Sequence, residues 1–177
     1  MIRAGWSLLG VIVGCVVAGC GSEREVAHPA YAPGQVVRSG EGVVVSGSPL
    51  ATAVGVDILE RGGNAVDAAV ATAFALGVVE PTMSGIGGRT QILIRTASGE
   101  FVGIDGTTEV PAAAARSTLA DEDAYGYGTI GIPGTVAALA TAHATRGALS
   151  WAQLLAPAIA LADTGFPLPS REASPGA

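Results

Sequence analysis

Two helical patterns that meet at consecutive Gly, Gly and Asn residues constrain this fold more than any other feature of the sequence. Leu50, Val54 and Ile58 recur every fourth residue, which places their apolar side chains on one face of a helix. Gly62-Gly63 follows, and Gly adopts the left-handed conformation that ends many helices. Asn64 is a frequent N-terminal cap. The sequence therefore predicts a helix capped by Ser46 or Ser48, a tight turn, and a second, largely buried helix over 65–79.

Further elements follow from local signals. Gly42-Val43-Val44-Val45 is β-branched and predicts a short strand, and residues 91–96 and 100–105 predict a hairpin turning at Ser98-Gly99. Pro133-Gly134 and Gly147 bound a third helix, and Ser150 with Gln153 forms a capping box that starts a fourth. Four helices and about three strands in mixed order predict an α/β or α+β fold, whose sheet is too small to be stable alone.

The N-terminal segment has the organisation of a targeting peptide. Arg3 precedes an apolar run that is too short to span a membrane comfortably, and the run closes on Val17-Ala18-Gly19-Cys20. This ending resembles the lipobox of bacterial lipoproteins, which are cleaved before a lipid-bearing Cys. We expect a signal peptide over 1–19, lipidation of Cys20, a tether over 20–41 and a domain over 42–177. This places the protein in the bacterial cell envelope, anchored to a membrane by lipid and facing the periplasm or the exterior. An ordinary secretory signal, with Cys20 incidental, is the alternative.

Charge and residue usage exclude several function classes. The net charge of -6 argues against nucleic acid as a partner. All nine basic residues are Arg, so a Lys-bearing phosphate loop and a Schiff-base mechanism are excluded. Both Cys residues lie within the first twenty positions, which leaves the domain without a thiolate nucleophile or a Cys metal site.

No local motif identifies a catalytic centre, a metal site or a cofactor site. Gly85-Ile86-Gly87 begins like a dinucleotide fingerprint, but Thr90 stands where the last Gly should be, and a strand rather than a helix follows. The loop can instead bring its backbone close to a ligand or to another chain segment. His143 is expected to pack on an apolar helix face, and Asp121-Glu122-Asp123 to form a solvated turn.

Taken together in chain order, the motifs resemble the start of gamma-glutamyltransferases. The most specific block is Arg61-Gly62-Gly63-Asn64-Ala65-Val66-Asp67-Ala68-Ala69. The other matching blocks run from about residue 42 to 168: Gly42–Ser46, Gly77–Pro81, Ser84–Gly88, Gly131–Ala137, Leu154–Ile159 and Gly165–Pro167.

The resemblance implies a fold, a reaction and a partner. The family has the α-β-β-α sandwich of N-terminal nucleophile hydrolases, in which a self-cleaving precursor exposes a nucleophilic Thr at the start of the small subunit. It transfers γ-glutamyl groups of glutathione and related amides to water or amino acids. This chain matches only the first part of the large subunit. We therefore expect the nucleophile, the oxyanion-hole glycines and the C-terminal small subunit to lie beyond Ala177, and the isolated chain to be inactive.

Two departures from the family pattern affect substrate binding. The family has an Asp-x-Arg-Glu segment whose Arg holds the substrate's α-carboxylate, but here Thr107 stands at the Arg position and Thr108 at the Glu position. A hydroxyl cannot make the bidentate contact of a guanidinium, so the resemblance predicts weak binding of glutathione-like carboxylates. The family also usually continues the glycine run and follows it with Phe before the strand, whereas Arg89, Thr90 and Gln91 occupy those places here. Arg89 is therefore an alternative cation for the carboxylate. These departures also leave open a non-catalytic surface lipoprotein that keeps the scaffold as a binding module.

Overall fold

The computed structural model describes residues 37–112 and 129–168, and all its helices and strands lie in the unit Arg38–Ala177. Their order is α1 (Pro49–Glu60), α2 (Ala65–Val79), β1 (Thr90–Arg95), β2 (Phe101–Gly106), α3 (Thr135–Arg146) and α4 (Trp151–Thr164). The predicted signal peptide, Cys20, most of the tether and the acidic turn at Asp121–Asp123 lie outside the described residues.

The turn between α1 and α2 confirms the predicted stop and cap. Gly62 has a φ of +88°, and the Gly63 N–H donates to the Ile58 carbonyl at 2.9 Å. The Asn64 side chain accepts the N–H groups of Val66 at 2.8 Å and Asp67 at 3.1 Å. In return, the Asp67 carboxylate accepts the Asn64 N–H at 2.9 Å, so this capping box is complete.

The predicted hairpin is also confirmed. β1 and β2 pair antiparallel from Thr90↔Gly106 to Arg95↔Phe101, and the turn uses Gly99 at a φ of +89°. Along both strands, half-buried side chains alternate with exposed ones. The half-buried residue Ile92 packs against the core, and both strands contact α3.

The predicted strand at Gly42–Val45 is wrong. The described residues form a two-stranded sheet of β1 and β2 only, and the segment around Val44 pairs with neither strand. Val44 packs instead on the helical core, where a Cβ on Gly55 would press against its side chain. A β-branched sequence favours extended backbone, but a strand also needs an edge with which to pair.

The core is built around α2, which contacts α1, α3 and α4. Ile58, Val70, Leu139 and Leu154 from the four helices are buried together, which confirms the expectation that α2 is largely buried. Trp151 closes one side of this cluster, because its ring lies 5.4 Å from that of Phe74 in an edge-to-face arrangement.

Within residues 37–112 and 129–168, no helix combines the length and the apolar character needed to cross a bilayer.

Candidate functional site

Three glycine-containing segments converge where the hairpin begins and ends. They are the loop that precedes β1 (the glycine-rich loop, residues 84–88), the segment that follows β2, and the start of α3. The Gly88 carbonyl accepts the N–H groups of Gly134 at 3.1 Å and Thr135 at 3.3 Å. This contact joins the glycine-rich loop to the first residues of α3, next to the last residue of β2.

The three segments can approach one another this closely because Gly134 and Gly106 have no side chain. A Cβ on Gly134 would overlap the carbonyl group of Gly106, and a Cβ on Gly106 would lie 2.6 Å from the Cβ of Ala138. In contrast, a Cβ on Gly85 or Gly87 would meet nothing within 4 Å. Gly88 therefore contacts the start of α3 through its carbonyl, whereas Gly85 and Gly87 leave open space beside the loop.

That open space belongs to a cavity of about 660 Å³ between the glycine-rich loop, the end of α2 and the start of β1. Its polar lining residues include Thr82, Ser84, Arg89, Thr90 and Thr135, and Arg89 is the charged residue among the described lining. The Thr135 hydroxyl is buried and has no hydrogen-bond partner. The cavity therefore has a cation in its lining, and the unsatisfied Thr135 hydroxyl is buried in its wall. The sequence signal that could have found Thr135 is its place directly after Pro133-Gly134.

The predicted site residues flank the open end of the hairpin. Arg89 directly precedes β1 and Thr107 directly follows β2, next to the Thr90↔Gly106 pair. Thr108 lies one residue further along, and a Cβ on Gly131 would overlap its methyl group. Cys20, the predicted lipidation site, lies outside the described residues.

The Thr107 hydroxyl is engaged within the chain. It donates to Asp105 Oδ1, and the Thr107 backbone N–H donates to the same oxygen at 2.9 Å. These two hydrogen bonds hold the pKa of the Asp105 carboxyl below its ordinary value. The bond from the hydroxyl has the largest effect, the bond from the backbone N–H has the next largest, and Gln91 contributes less. Thr107 therefore stabilises a carboxylate of its own chain.

His143 lies on the helical core, as the sequence predicts. Its Nε2 is 2.7 Å from the carbonyl oxygen of Leu149, and its ring lies 5.2 Å from that of Trp151. Within the described ranges, no three His, Cys, Asp or Glu residues are grouped so that they could hold a metal ion.

Comparison with known proteins assigns the family. A sequence model of the family described as Gamma-glutamyltranspeptidase matches residues 51–175. A glutathione hydrolase proenzyme of Pseudomonas sp. (strain A14) is 40% identical over 135 residues, covering 72% of this chain and 24% of the relative. An Acylase ACY 1 proenzyme of Pseudomonas sp. (strain V22) is 41% identical over 139 residues, covering 71% of this chain and 25% of the relative.

Solved structures agree with this assignment. The gamma-glutamyltranspeptidase of Helicobacter pylori superimposes with a TM-score of 0.69 at 37% identity, covering 74% of this chain and 40% of that one. The chain belongs to the gamma-glutamyltranspeptidase family, and its mixed α/β fold is part of the N-terminal nucleophile hydrolase sandwich. The family resemblance in the sequence is thereby confirmed. The chain spans about a quarter of the length of the sequence relatives described above.

Proposed function

We propose that this chain is the N-terminal part of the large subunit of an enzyme that transfers or hydrolyses γ-glutamyl groups of glutathione-like amides. The observation that carries the proposal is the family match over residues 51–175. This range includes the glycine-rich loop, the hairpin and the start of α3, which together build the cavity. The relatives named above include both a glutathione hydrolase and an acylase, and both chemistries break an acyl bond.

The proposed reaction proceeds through an acyl-enzyme on a Thr at the start of the small subunit. Its hydroxyl oxygen forms a bond to the γ-carbonyl carbon while its own α-amine accepts the hydroxyl proton. The C–N bond of the amide then breaks, and the leaving amine takes that proton. Water or an amino acid releases the acyl group in a second addition. In this scheme Arg89, Thr107 and Thr108 are the substrate-binding positions, with the Thr107 hydroxyl proton donated to Asp105, and none of the three takes part in bond breaking.

Exposed apolar side chains support a small subunit as the partner. Leu93 and Phe101 lie on the outward face of the hairpin, with 73% and 63% of their surfaces exposed, and Val45 is 81% exposed. A two-stranded sheet is marginal in water, and further strands or another layer are needed to cover such a face. In the proposal, strands of the small subunit supply that cover.

An activity assay tests whether the nucleophile lies outside this chain. The purified 177-residue chain should release no 4-nitroaniline from γ-glutamyl-4-nitroanilide, whereas the complete processed protein should release it. Circular dichroism of the purified chain is the control for its folding. Turnover by the 177-residue chain alone would overturn the assignment of the nucleophile to the other subunit.

We further propose that the protein is a lipoprotein of the cell envelope, cut before Cys20. The sequence Val17-Ala18-Gly19-Cys20 after an apolar run supports this. Mass spectrometry of the mature N-terminus should find a diacylated Cys20, and Cys20→Ser should move the protein from the membrane to the soluble fraction. An unmodified N-terminus at another residue would instead indicate an ordinary secretory signal.

The second candidate is a non-catalytic surface lipoprotein that binds a ligand on the same scaffold. It is favoured by Thr at position 107, because the Thr107 hydroxyl already donates a hydrogen bond to Asp105. Maturation and turnover of the complete protein distinguish the two candidate functions. A protein that matures into two subunits and turns over the anilide is an enzyme, whereas one that remains a single chain without turnover fits the binding module.

A further inference from the structure

Met83 carries the only sulfur atom of residues 42–177. The other methionine is Met1, and the two cysteines, Cys15 and Cys20, also lie in the N-terminal segment. The Met83 side chain is 84% exposed, the largest exposed fraction among the large apolar residues that the structure describes. Because the oxidation of a thioether increases with its exposure, a peroxide that reaches the folded domain meets one accessible sulfur.

The backbone holds Met83 in place without using its side chain. The N–H groups of Met83 and Ser84 both donate to the Glu80 carbonyl, at 3.0 and 2.9 Å, and this closes a turn directly after α2. Neither hydrogen bond involves the thioether. Since little of the side chain is buried, a change at the sulfur removes little packing, and the turn should keep its conformation.

The same side chain lines the cavity beside the glycine-rich loop. Leu76 and Pro81 are apolar parts of this lining, whereas Ser84 and Arg89 carry hydrogen-bond donors. The thioether of Met83 is apolar, and oxidation converts it into a polar sulfoxide. Adding one oxygen atom to Met83 therefore changes the polarity of the cavity lining.

We propose that Met83 is a reversible oxidation site, at which a peroxide alters this cavity without unfolding the protein. With hydrogen peroxide, the sulfur forms a bond to one oxygen as the O–O bond breaks. The proton of the transferred oxygen passes to the departing hydroxide, which leaves as water, so sulfur is oxidised and the peroxide is reduced. A methionine sulfoxide reductase reverses the step, while two thiols become a disulfide and the oxygen leaves as water.

The rate of oxidation in the complete protein tests the site directly. Trypsin cuts after Arg61 and Arg89, and the peptide between them contains Met83 but no other Met, no Cys and no Trp. In hydrogen peroxide this peptide should gain one oxygen in the native protein at a rate within about threefold of the rate in urea, because the side chain is so exposed. A native rate more than about tenfold slower than the rate in urea would overturn the proposal.

Reversal and stability distinguish a reversible site from damage. Methionine sulfoxide reductases for both sulfoxide epimers, with dithiothreitol, should remove the added oxygen. The oxidised protein should also unfold at the urea midpoint of the untreated protein. Met83→Leu is the matched control, because Leu has a similar volume and no sulfur, so the peptide should gain no oxygen. An oxygen that the reductases cannot remove, or a midpoint that falls on oxidation of wild type but not of Met83→Leu, contradicts the proposal.

Turnover of γ-glutamyl-4-nitroanilide by the complete protein tests the effect on the cavity, and this arm rests on the proposed function. Oxidation should change KM of wild type by about two- to tenfold, the weight of one hydrogen bond gained or lost, and should leave KM of Met83→Leu unchanged. An unchanged KM for fully oxidised wild type contradicts the effect on the cavity. If the untreated protein turns over no anilide, the proposed function fails, whereas the mass measurements still decide whether Met83 is the oxidation site.

Discussion

Both carboxylate oxygens of Asp67 accept the backbone N–H of Ala148, at 3.1 and 3.0 Å, although the two residues lie 81 positions apart. Asp67 is fully buried in the first turn of α2, where one of its oxygens also accepts the Asn64 N–H. The Asn64 amide donates to the Arg146 carbonyl at 2.7 Å. The start of α2 is therefore joined by hydrogen bonds to the turn between α3 and α4.

Replacing Asp67 with Asn should destabilise the protein markedly. The amide oxygen can replace Oδ2, but the NH₂ group would then face the Ala148 N–H at the Oδ1 position, and the negative charge that strengthens these hydrogen bonds would be lost. Hydrogen bonds to charged groups contribute about 1.5–3 kcal/mol, so we expect a loss of that size in the free energy of unfolding in urea. Asp57→Asn is the control, because its ion pair with Arg61 is exposed and is expected to contribute less than about 1 kcal/mol. Equal losses for the two variants would contradict the role of Asp67.

A methyl group at Gly134 should disturb the site. Gly134 has a φ of -102°, which Ala adopts freely, so any effect comes from contact rather than backbone strain. The added Cβ would overlap the Gly106 carbonyl, and overpacking of this kind costs about 1–3 kcal/mol. We expect Gly134→Ala to lower both the unfolding midpoint and, in the complete protein, kcat/KM.

Gly87→Ala is the control for that variant. It adds the same methyl group to the glycine-rich loop, where a Cβ would meet nothing within 4 Å. Its stability should stay within about 0.5 kcal/mol of wild type. A Gly134→Ala protein as stable as Gly87→Ala would show that the close approach of α3 to the hairpin is not required.

The pKa of Asp105 should depend on the Thr107 hydroxyl. In the folded protein its pKa lies below the ordinary value of 3.8, so the carboxylate contributes stability above pH 3.8 that is lost as the pH falls through the lowered pKa. Thr107→Val removes the larger of the two hydrogen bonds and should move the pKa upward, as followed by NMR titration. Thr108→Val is the control, because no hydrogen bond from Thr108 contributes to the lowered pKa. A pKa that stays fixed in Thr107→Val would contradict the assignment.

Local signals were enough to predict most of the secondary structure. The residues of the Gly-Gly-Asn junction determine the turn between α1 and α2 locally, because Gly62 adopts a left-handed conformation and Asn64 caps the next helix. At α4, Gln153 Oε1 accepts the Ser150 N–H at 3.0 Å, as the capping-box spacing predicts. These features need only a few neighbouring residues, so the sequence pattern contains the information.

Features that depend on distant residues were not predictable in the same way. The segment at Gly42–Val45 has strand propensity, but its structure is decided by α1 and α2, on which Val44 packs. The contact between Asp67 and Ala148, and the cavity that joins Arg89 to Thr135, both require the tertiary fold. The placement of Arg89 before β1 and of Thr107 after β2 is intermediate, since it follows from the hairpin once its turn is known.

The measurement that tests the central proposal most directly is the intact mass of the complete protein, taken before and after a brief reaction with γ-glutamyl-4-nitroanilide. If the chain belongs to an acyl-transferring enzyme, the purified protein should contain two subunits, with these residues in the longer one. The shorter subunit should then gain the mass of one glutamyl group, and amine acceptors should remove it. A single uncleaved chain that never gains that mass, in a preparation shown to be folded, would contradict the proposal.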